Sequence, residues 1–561
     1  MFAKNVLFAA VVLLGTAYLA TKVIPNPEKV ANDFDNSTDV ESLRAVAVRI
    51  DNAFDSNWRE RGIQSAHFAE PLQVARRLSL GLTGTIPSLE EIRKFEKIST
   101  DDQIDWWVNY LLSDDRFHDY AAERLARAFV GTENGPFILY RRRRFVSWLS
   151  DQLKENRPYD QLARHIISDS GLWTDTPSVN YYTVTVSDDT KGQPDPIRLA
   201  ARTTRAFLGL RIDCLQCHDD ALGTMELGTP DAIRTGTQAD FHQLAAGFTS
   251  VRQTAAGLQE TREENDYKFT FLDEVSEEKV PFKVPFQQEL LPEVGTRRER
   301  LATWMTNPQN KAFSRAIVNR VWAMMFGKSL VDPIDDIPLF GERPPGMDLL
   351  ADDFIQNGYD LRRLIRIIAQ TKAFRMAPVA EFEFTDQHES SFAVFPKTLL
   401  RPEQVVGAVV QASSLSTIDD DSNVFQKLIK FGDINEFITR YGDSGEDEFR
   451  TRGGTIQQKN IMMNGKVVGE RTTANDLLLN AASQINAFAQ DDQLAIEMIF
   501  LTILTRRPTD VEADFLGSLF SETASHSGEQ MDDEHLGFDR KSIVEDVMWT
   551  LFNKEEFQKN H

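Results

Sequence analysis

The chain has 561 residues, 41% of them hydrophobic and 10% aromatic, so it is long enough for two to four globular domains and too apolar to be disordered. Its formal net charge of −23 excludes nucleic acid as a partner, because phosphate binding requires a basic face. The same charge disfavours adhesion to anionic lipid and suits docking to a basic partner.

The N-terminus has the form of an export signal. Lys4 precedes an almost wholly apolar run over residues 6–20, which Lys22 and two prolines end. A run of about 15 apolar residues suits a signal peptide better than a membrane span, which needs about 20. We therefore expect residues 1–25 to be a signal peptide or an N-terminal membrane anchor, and residues 26–45 to form a polar tether.

The next part of the chain, residues 46–250, has mainly helical periodicity, with apolar residues every three or four positions from residue 72 onwards. Ser88–Glu91 predicts a reciprocal capping box at a helix start. Asp195–Pro196 predicts the start of a later helix that leads to the cysteines. Tyr181–Val186 has the alternation of a short strand.

Cys214-Leu215-Gln216-Cys217-His218 is the most informative segment, and it contains the only two cysteines. C-x-x-C-H is the attachment signature of a c-type haem. Each cysteine can form a thioether to a haem vinyl group, and the histidine can ligate the iron. Chance gives this pattern on the order of once in ten thousand for this composition. We therefore predict covalent haem c at Cys214 and Cys217, with His218 as the metal ligand.

The second axial ligand of such a haem is open. Met225 and His242 are near the motif in sequence, and His165 comes from a preceding helical segment. A methionine would raise the reduction potential relative to a second histidine. A vacant or water-filled position is a further alternative.

Two other interpretations of the motif also stay open. In an oxidising compartment, Cys214–Cys217 can form a disulfide that staples a helix end. His218, Asp219 and His242 can instead belong to a metal site, including that of a metal-dependent hydrolase.

The composition changes at residues 251–295, which are acidic and β-like. Tyr267–Leu272 and Val280–Phe286 predict strands there, with prolines that favour a sheet edge. Thr296–Glu299 predicts a second capping box, which opens a C-terminal helical domain over residues 296–561. The expected fold class is mainly α, a multi-helical two-domain protein with a small β-containing insert between the domains.

The C-terminal half has one further cluster of polar residues. Its members are Arg315, Asn319, Arg320, Asp332, Asp335 and Asp336. We expect Arg320 to pair with Asp335 or Asp336 in an internal network, the alternative being a carbohydrate-binding or hydrolytic carboxylate pair. The chain has no Gly-rich phosphate loop, no G-x-S-x-G elbow and no H-E-x-x-H motif.

Several stretches resemble the planctomycete-type cytochrome-C-like domain of unknown function, the PSCyt type. They are Arg76–Gly84, Pro87–Glu91, Arg157–Leu162 and Phe207–Asp219. The second half resembles the PSD-type domain of unknown function that usually follows it. The matching stretches are Ile317–Asp336, Asn357–Leu361, Arg401–Gln404, Arg506–Thr509 and Leu551–His561.

The resemblance implies an exported protein with a cytochrome-like motif and no established reaction. Many members read C-x-x-C-H-D-H-P, whereas Asp220 and Ala221 stand here in place of the second histidine and the proline. A role for that second imidazole is therefore in doubt in this chain.

We expect an exported, membrane-tethered electron-transfer protein of the periplasm or cell envelope, with a redox partner protein or a cell-envelope component as its partner. The alternatives are a non-redox envelope scaffold or glycan-binding protein with a Cys214–Cys217 disulfide, or a metal-dependent hydrolase. These alternatives leave open whether the chain is an enzyme.

Overall fold

Helix starts coincide with capping signals in the sequence. Ser88 Oγ accepts a hydrogen bond from the Glu91 amide, and the Glu91 carboxylate accepts one from the Ser88 amide, at 3.0 and 2.8 Å. Thr296 and Glu299 form the same reciprocal box. Each box satisfies amides that have no partner within the helix. Both predicted capping boxes are confirmed.

A computed structural model describes residues 40–132, 140–261, 267–272, 274–419, 437–438, 440–441, 454–474, 480–526 and 539–561. The predicted signal or anchor and most of the predicted tether lie outside these residues. Leu43–His561 forms one compact unit, separate from Met1–Ser42, of which only the start of a helix is described. None of the helices within the described ranges is long and apolar enough to cross a membrane.

Helices account for most of the described residues before the cysteine pair. In chain order they are α1 Val40–Glu60, α2 Pro71–Thr83, α3 Leu89–Phe95, α4 Gln103–Leu112, α5 Asp115–Val130, α6 Arg142–Lys154, α7 Tyr159–Ser168, α8 Asn180–Thr183 and α9 Pro196–Thr203. A 3-10 turn, Pro177–Val179, precedes α8.

The strand predicted at Tyr181–Val186 is wrong. Tyr181 and Tyr182 belong to the short helix α8, and both side chains are fully buried. The Tyr182 hydroxyl donates to the Ile167 carbonyl at 2.6 Å. Neighbouring residues of a strand point to opposite faces, so a strand could not direct both rings into one core as this helix does.

Short antiparallel hairpins follow the cysteine pair. Strands β1 (Glu226–Thr229) and β2 (Ala232–Thr235) form the first, β3 (Val251–Thr254) and β4 (Gly257–Glu260) the second, and β5 (Lys268–Phe269) and β6 (Glu278–Lys279) the third. Helix α10 (Gln238–Ala245) and a 3-10 turn (Ala246–Phe248) lie between the first two hairpins.

The strands predicted in the acidic insert are present only in part. The prediction over Tyr267–Leu272 is confirmed at the two residues of β5. The prediction over Val280–Phe286 is wrong, because strand β6 ends at Lys279 and, beyond one hydrogen bond from the Val280 amide to the Tyr267 carbonyl, only an isolated bridge forms at Phe286. Two prolines in that stretch have no N–H to donate to a sheet.

The second half is again helical. After a 3-10 turn, Gln288–Leu290, its helices are α11 Arg297–Met305, α12 Lys311–Phe326, α13 Met347–Gln356, α14 Leu361–Gln370, α15 Lys372–Arg375, α16 Asp386–Ser390, α17 Pro402–Ala412, α18 Ile456–Asn464, α19 Lys466–Thr472, α20 Ala481–Phe488, α21 Asp492–Leu504, α22 Asp510–His526 and α23 Arg540–Asn553. Strand β7 (Thr398–Leu399) pairs with β8 (Lys559–Asn560). The mainly α fold class is confirmed.

Two large clusters of buried apolar side chains form the core. One contains side chains from Leu43 to Phe395, on both sides of the acidic insert. The other joins Leu80 and Ile86 to residues 400–557. Helices before and after the insert therefore share one core, and the domain limits drawn at residues 251–295 stay a prediction.

Candidate functional site

A helix that ends in a left-handed glycine brings the chain towards the cysteine pair. Asp195 caps α9 by accepting two amides of the first turn, as predicted. The helix widens into a π-type turn over Thr204–Leu208 and ends at Gly209, with φ 64°. The left-handed backbone favours glycine at this position, and a Cβ there would lie 2.8 Å from Cδ1 of Ile337, whose side chain would have to shift.

The cysteines lie on a separate 3-10 turn, Asp213–Gln216, and its end. Ile212 and Leu215 are fully buried, whereas Cys214 and Cys217 are exposed and not bonded to each other. The Cys217 amide donates to the Cys214 carbonyl at 3.3 Å, which closes the turn. Apolar side chains therefore anchor the turn, and both thiols are accessible to an incoming group.

His218 is exposed, and the backbone sets the tautomer of its ring. Nδ1 lies 2.7 Å from the carbonyl oxygen of Asp219. A carbonyl oxygen only accepts, so Nδ1 carries the hydrogen and Nε2 keeps its lone pair. Metal-binding histidines commonly donate one ring N–H to a backbone carbonyl in this way. His218 can therefore bind a metal through Nε2.

Helix α10 holds the backbone in the middle of the motif. The Gln216 carbonyl accepts from Nε2 of Gln238 at 3.0 Å and from Nε2 of His242 at 3.1 Å. The Gln238 amide donates to Oδ1 of Asp219 at 2.7 Å. The chain is thus fixed on both sides of the second cysteine and the histidine that follows it.

His242 is fully buried among aromatic rings. Its ring stacks on Phe269 at 3.5 Å between centroids and meets Phe271 edge-on. Because Nε2 must donate to the Gln216 carbonyl, Nδ1 accepts from the Tyr267 hydroxyl at 2.8 Å. Burial lowers the pKa of His242 and raises the pKa of Tyr267 to about 12. Both side chains are therefore neutral at neutral pH.

Met225 lies at the base of the hairpin that follows the motif. Its amide donates to Oδ2 of Asp220 at 2.6 Å, and its carbonyl accepts from the Gly236 amide at 2.8 Å. A Cβ at Gly236 would lie 2.7 Å from the Leu215 side chain and 3.2 Å from that of Met225. Met225 is thus half-buried near the core side of the cysteine turn. The iron-ligand roles of Met225 and His242 stay predictions.

Charged side chains of the residues that precede the first cysteine form ion pairs. Asp213 pairs with Arg205, and Arg211 donates from Nε to Oδ1 of Asp335, in the loop after α12, at 2.6 Å. Partial desolvation of the otherwise exposed Cys214, and then the carboxylate of Asp213, raise the pKa of its thiol. This thiol therefore holds its proton more firmly than an ordinary cysteine does.

The polar cluster predicted in the C-terminal half is divided among several partners. The Asn319 side chain bonds the backbone of the following loop three times, which holds α12 to that loop. Arg315 pairs with Asp348. Asp335 pairs with Arg211, which precedes the cysteine turn. The predicted pairing of Arg320 with Asp335 or Asp336 is not found among the described residues.

His218, Asp219 and His242, which form the predicted hydrolase site, each hydrogen-bond to different groups. Both ring nitrogens of His242 are hydrogen-bonded, and Asp219 accepts a backbone amide while its own carbonyl accepts from His218. The described residues hold no group of three or more His, Cys, Asp or Glu side chains placed to bind a metal ion.

Sequence reasoning missed the residues that support the motif. Gln238 donates to the Gln216 carbonyl, and Tyr267 donates to the buried ring of His242. Neither residue belongs to a recognisable sequence motif. Arg211 lies only three positions before Cys214, but its partner Asp335 is 124 positions away. The position of Arg211 next to the motif was the one feature of the sequence that could have indicated this support.

A cavity of about 520 Å³ lies outside the candidate site formed by the cysteine motif and α10. It is lined mainly by α2, α3, the end of α21 and the loop after it. None of its lining residues belongs to the cysteine motif.

Two family models match the chain. PSCyt2, a protein of unknown function (DUF1549), matches residues 49–253 and so includes the cysteine turn and α10. PSD1, a protein of unknown function (DUF1553), matches residues 297–432 and includes the loop after α12. No curated protein and no solved structure matches the chain.

Proposed function

We propose that this chain, in which a DUF1549 (PSCyt2) domain precedes a DUF1553 (PSD1) domain, is an exported electron-transfer protein with one covalent haem c. Cys214 and Cys217 attach the haem, and His218 ligates its iron. The observation that carries the proposal is the pair of exposed, unbonded thiols followed by an imidazole whose Nδ1 is already committed to a carbonyl.

The residues at the turn fit the attachment chemistry. Each thiol S–H would add across a vinyl C=C of the haem, so that a C–S bond would form at one carbon and the hydrogen would go to the other. This addition needs no oxidant and releases no leaving group. The Nε2 lone pair of His218 supplies the nitrogen ligand. Once bound, haem supplies one-electron chemistry that no side chain of this site offers.

Exposed apolar side chains near the turn support the binding of an apolar macrocycle. Leu222, in the loop after the motif, is 87% exposed, and Ile233 on β2 is 49% exposed. Leu272 is 69% exposed, and its amide bonds the side chain of Gln238, which also holds the turn. Three segments that follow the motif in sequence therefore carry exposed apolar side chains.

The charge of the same region supports a basic redox partner. Asp219, Glu226 and Asp231 are exposed, and the chain as a whole carries a net charge of −23. An acidic surface attracts a basic partner, and salt weakens that attraction. Electron exchange with such a partner slows as ionic strength rises. The apolar run at residues 6–20 supports export and membrane attachment through the N-terminal segment.

Acid–acetone extraction of the protein, exported from cells that attach haem, tests the proposal. The Soret band is expected to stay with the polypeptide, because thioether bonds survive this extraction. The variant Cys214→Ser/Cys217→Ser is expected to lose the band, whereas His165→Gln, which changes a half-exposed histidine of α7, keeps it. Wild-type protein without retained haem and without iron would overturn the proposal.

A further inference from the structure

We propose that His242 and Gln238 are positioning residues: their hydrogen bonds to the Gln216 carbonyl, called the grip below, keep both thiols and His218 at the surface. His242 therefore does not ligate the iron. The proposal rests on the proposed haem function only for the identity of the metal. The grip itself is a property of the polypeptide and is measurable without any cofactor.

The hydrogen bonds leave His242 no nitrogen with which to bind a metal. A carbonyl oxygen has two lone pairs, and on Gln216 these receive Nε2 of Gln238 and Nε2 of His242. Nε2 of His242 therefore carries a hydrogen. Nδ1 receives the Tyr267 hydroxyl. Ligation would require His242 to break one of these bonds inside the protein.

Packing prevents the ring from turning out of this position. The His242 side chain is fully buried, stacks on Phe269 and touches the edges of Phe241 and Phe271. Burial lowers its pKa, which agrees with a neutral ring that donates through one nitrogen and accepts through the other. Rotation would leave buried polar atoms without partners, at a cost in free energy.

Gln238 extends the grip to the residue after His218. Its side-chain amide donates to the Gln216 carbonyl, its backbone amide donates to Oδ1 of Asp219, and its Oε1 accepts from the Leu272 amide. The capping box of α10 fixes the start of this helix, because Asp240 accepts from the amide and the hydroxyl of Thr237. Only Cys217 and His218 lie between the two gripped residues.

Three variants of the full chain separate gripping from iron ligation. His242→Phe keeps an aromatic ring against Phe269 but has no N–H for Gln216. His242→Gln places an amide N–H close to the position of Nε2 and is a poor iron ligand. Gln238→Leu removes the other donor to the same carbonyl. His165→Gln serves as the matched histidine control.

Amide hydrogen exchange of the reduced, cofactor-free protein is the first readout. In His242→Phe and Gln238→Leu, exchange over residues 214–220 is expected to be about tenfold faster than in wild type, with peptides of α12 unchanged. His242→Gln and His165→Gln are expected to exchange at close to the wild-type rate. Unchanged exchange in both His242→Phe and Gln238→Leu would overturn the proposal.

The spin state of the iron in the haem-loaded fraction is the second readout. It is expected to be the same in wild type, His242→Phe, His242→Gln and Gln238→Leu. Loss of the wild-type spin state in both His242 variants, but not in Gln238→Leu, would make His242 a ligand and overturn the proposal. If even wild type binds no haem, the proposed function fails while the exchange experiment still decides the grip. If circular dichroism shows that His242→Phe is unfolded, Gln238→Leu decides the exchange test.

Discussion

Arg211 donates a hydrogen bond from Nε to Oδ1 of Asp335 over 2.6 Å, across 124 positions of sequence. The arginine lies just before Cys214, and the aspartate lies in the DUF1553 region. Nearby, the Ile337 amide donates to the Gly209 carbonyl at 2.7 Å. The DUF1553 domain therefore supports the segment on which the DUF1549 domain carries its cysteine pair.

Asp335→Asn tests this support. The variant loses a charge-assisted hydrogen bond at a side chain that is only 11% exposed, so we expect the free energy of unfolding to fall by about 1–2 kcal/mol. Urea unfolding at pH 7 measures the change. The control is Asp352→Asn, whose partner Lys311 forms an ion pair in which both side chains are about 40% exposed and which contributes less than about 1 kcal/mol. Equal losses in the two variants would contradict a special role for Asp335.

Arg298→Met tests the attachment of the second half to the β-containing insert. Arg298 is fully buried and donates to Glu260 at 2.9 Å and to the Asp169 carbonyl at 2.7 Å. Its removal leaves the nearly buried Glu260 carboxylate without its cationic partner, so we expect a loss of about 3–5 kcal/mol in thermal or urea unfolding. The double variant Arg298→Met/Glu260→Leu removes that carboxylate and should recover part of the loss. No recovery would show that the unpaired charge is not the cause.

The lowered pKa of His242 predicts a pH dependence of stability. Below about pH 6.5 the unfolded chain protonates this histidine, whereas the folded protein resists protonation. The free energy of unfolding of wild type relative to His242→Phe should therefore fall as the pH drops from 7 to 5, by up to about 1.4 kcal/mol per pH unit.

The comparison with His242→Phe is needed because other groups titrate in the same window. Burial raises the pKa of Asp51 to about 6, which has the opposite effect on stability. Urea unfolding of both proteins at pH 7.5, 6.5, 5.5 and 5 isolates the contribution of His242. A difference that stays constant over this range would contradict a neutral, buried imidazole.

The raised pKa of Cys214 predicts slow alkylation. A raised pKa lowers the thiolate fraction at pH 7.5 below that of an ordinary cysteine, whose pKa is about 8.5. Iodoacetamide labelling of the reduced, cofactor-free protein, followed by peptide mass spectrometry across pH 6–10, gives the midpoint. Asp213→Asn should lower that midpoint, because it removes a neighbouring negative charge. A midpoint at or below the ordinary value in wild type would contradict the described environment.

The features predicted from sequence are the local ones. The capping boxes at Ser88 and Thr296 and the Asp195 cap depend on residues two or three positions apart, and all are confirmed. Helix α1 begins at Val40, so residues 40–45, which were predicted to belong to the tether, are helical. Its buried residues Leu43, Ile50 and Phe54 recur at helical spacing, but the polar residues between them favoured the interpretation as a tether.

The support of the candidate site could not be predicted, for two physical reasons. Gln216 contributes a backbone carbonyl, and every residue has one, so its side chain carries no signal. The contact between Arg211 and Asp335 depends on how α12 packs against the segment after α9, which no local pattern encodes. The exposed thiols and His218 form the one part of the site that the sequence spacing itself identifies.

The mass of one tryptic peptide tests the central claim most directly. Trypsin cuts after Arg211 and Arg234, so the peptide over residues 212–234 contains both cysteines and His218. In the exported protein we predict that this peptide is heavier than its sequence by about 616 Da, the mass of one haem added whole through two thioethers. An unmodified mass, or a mass lower by two hydrogens from a Cys214–Cys217 disulfide, would contradict the claim.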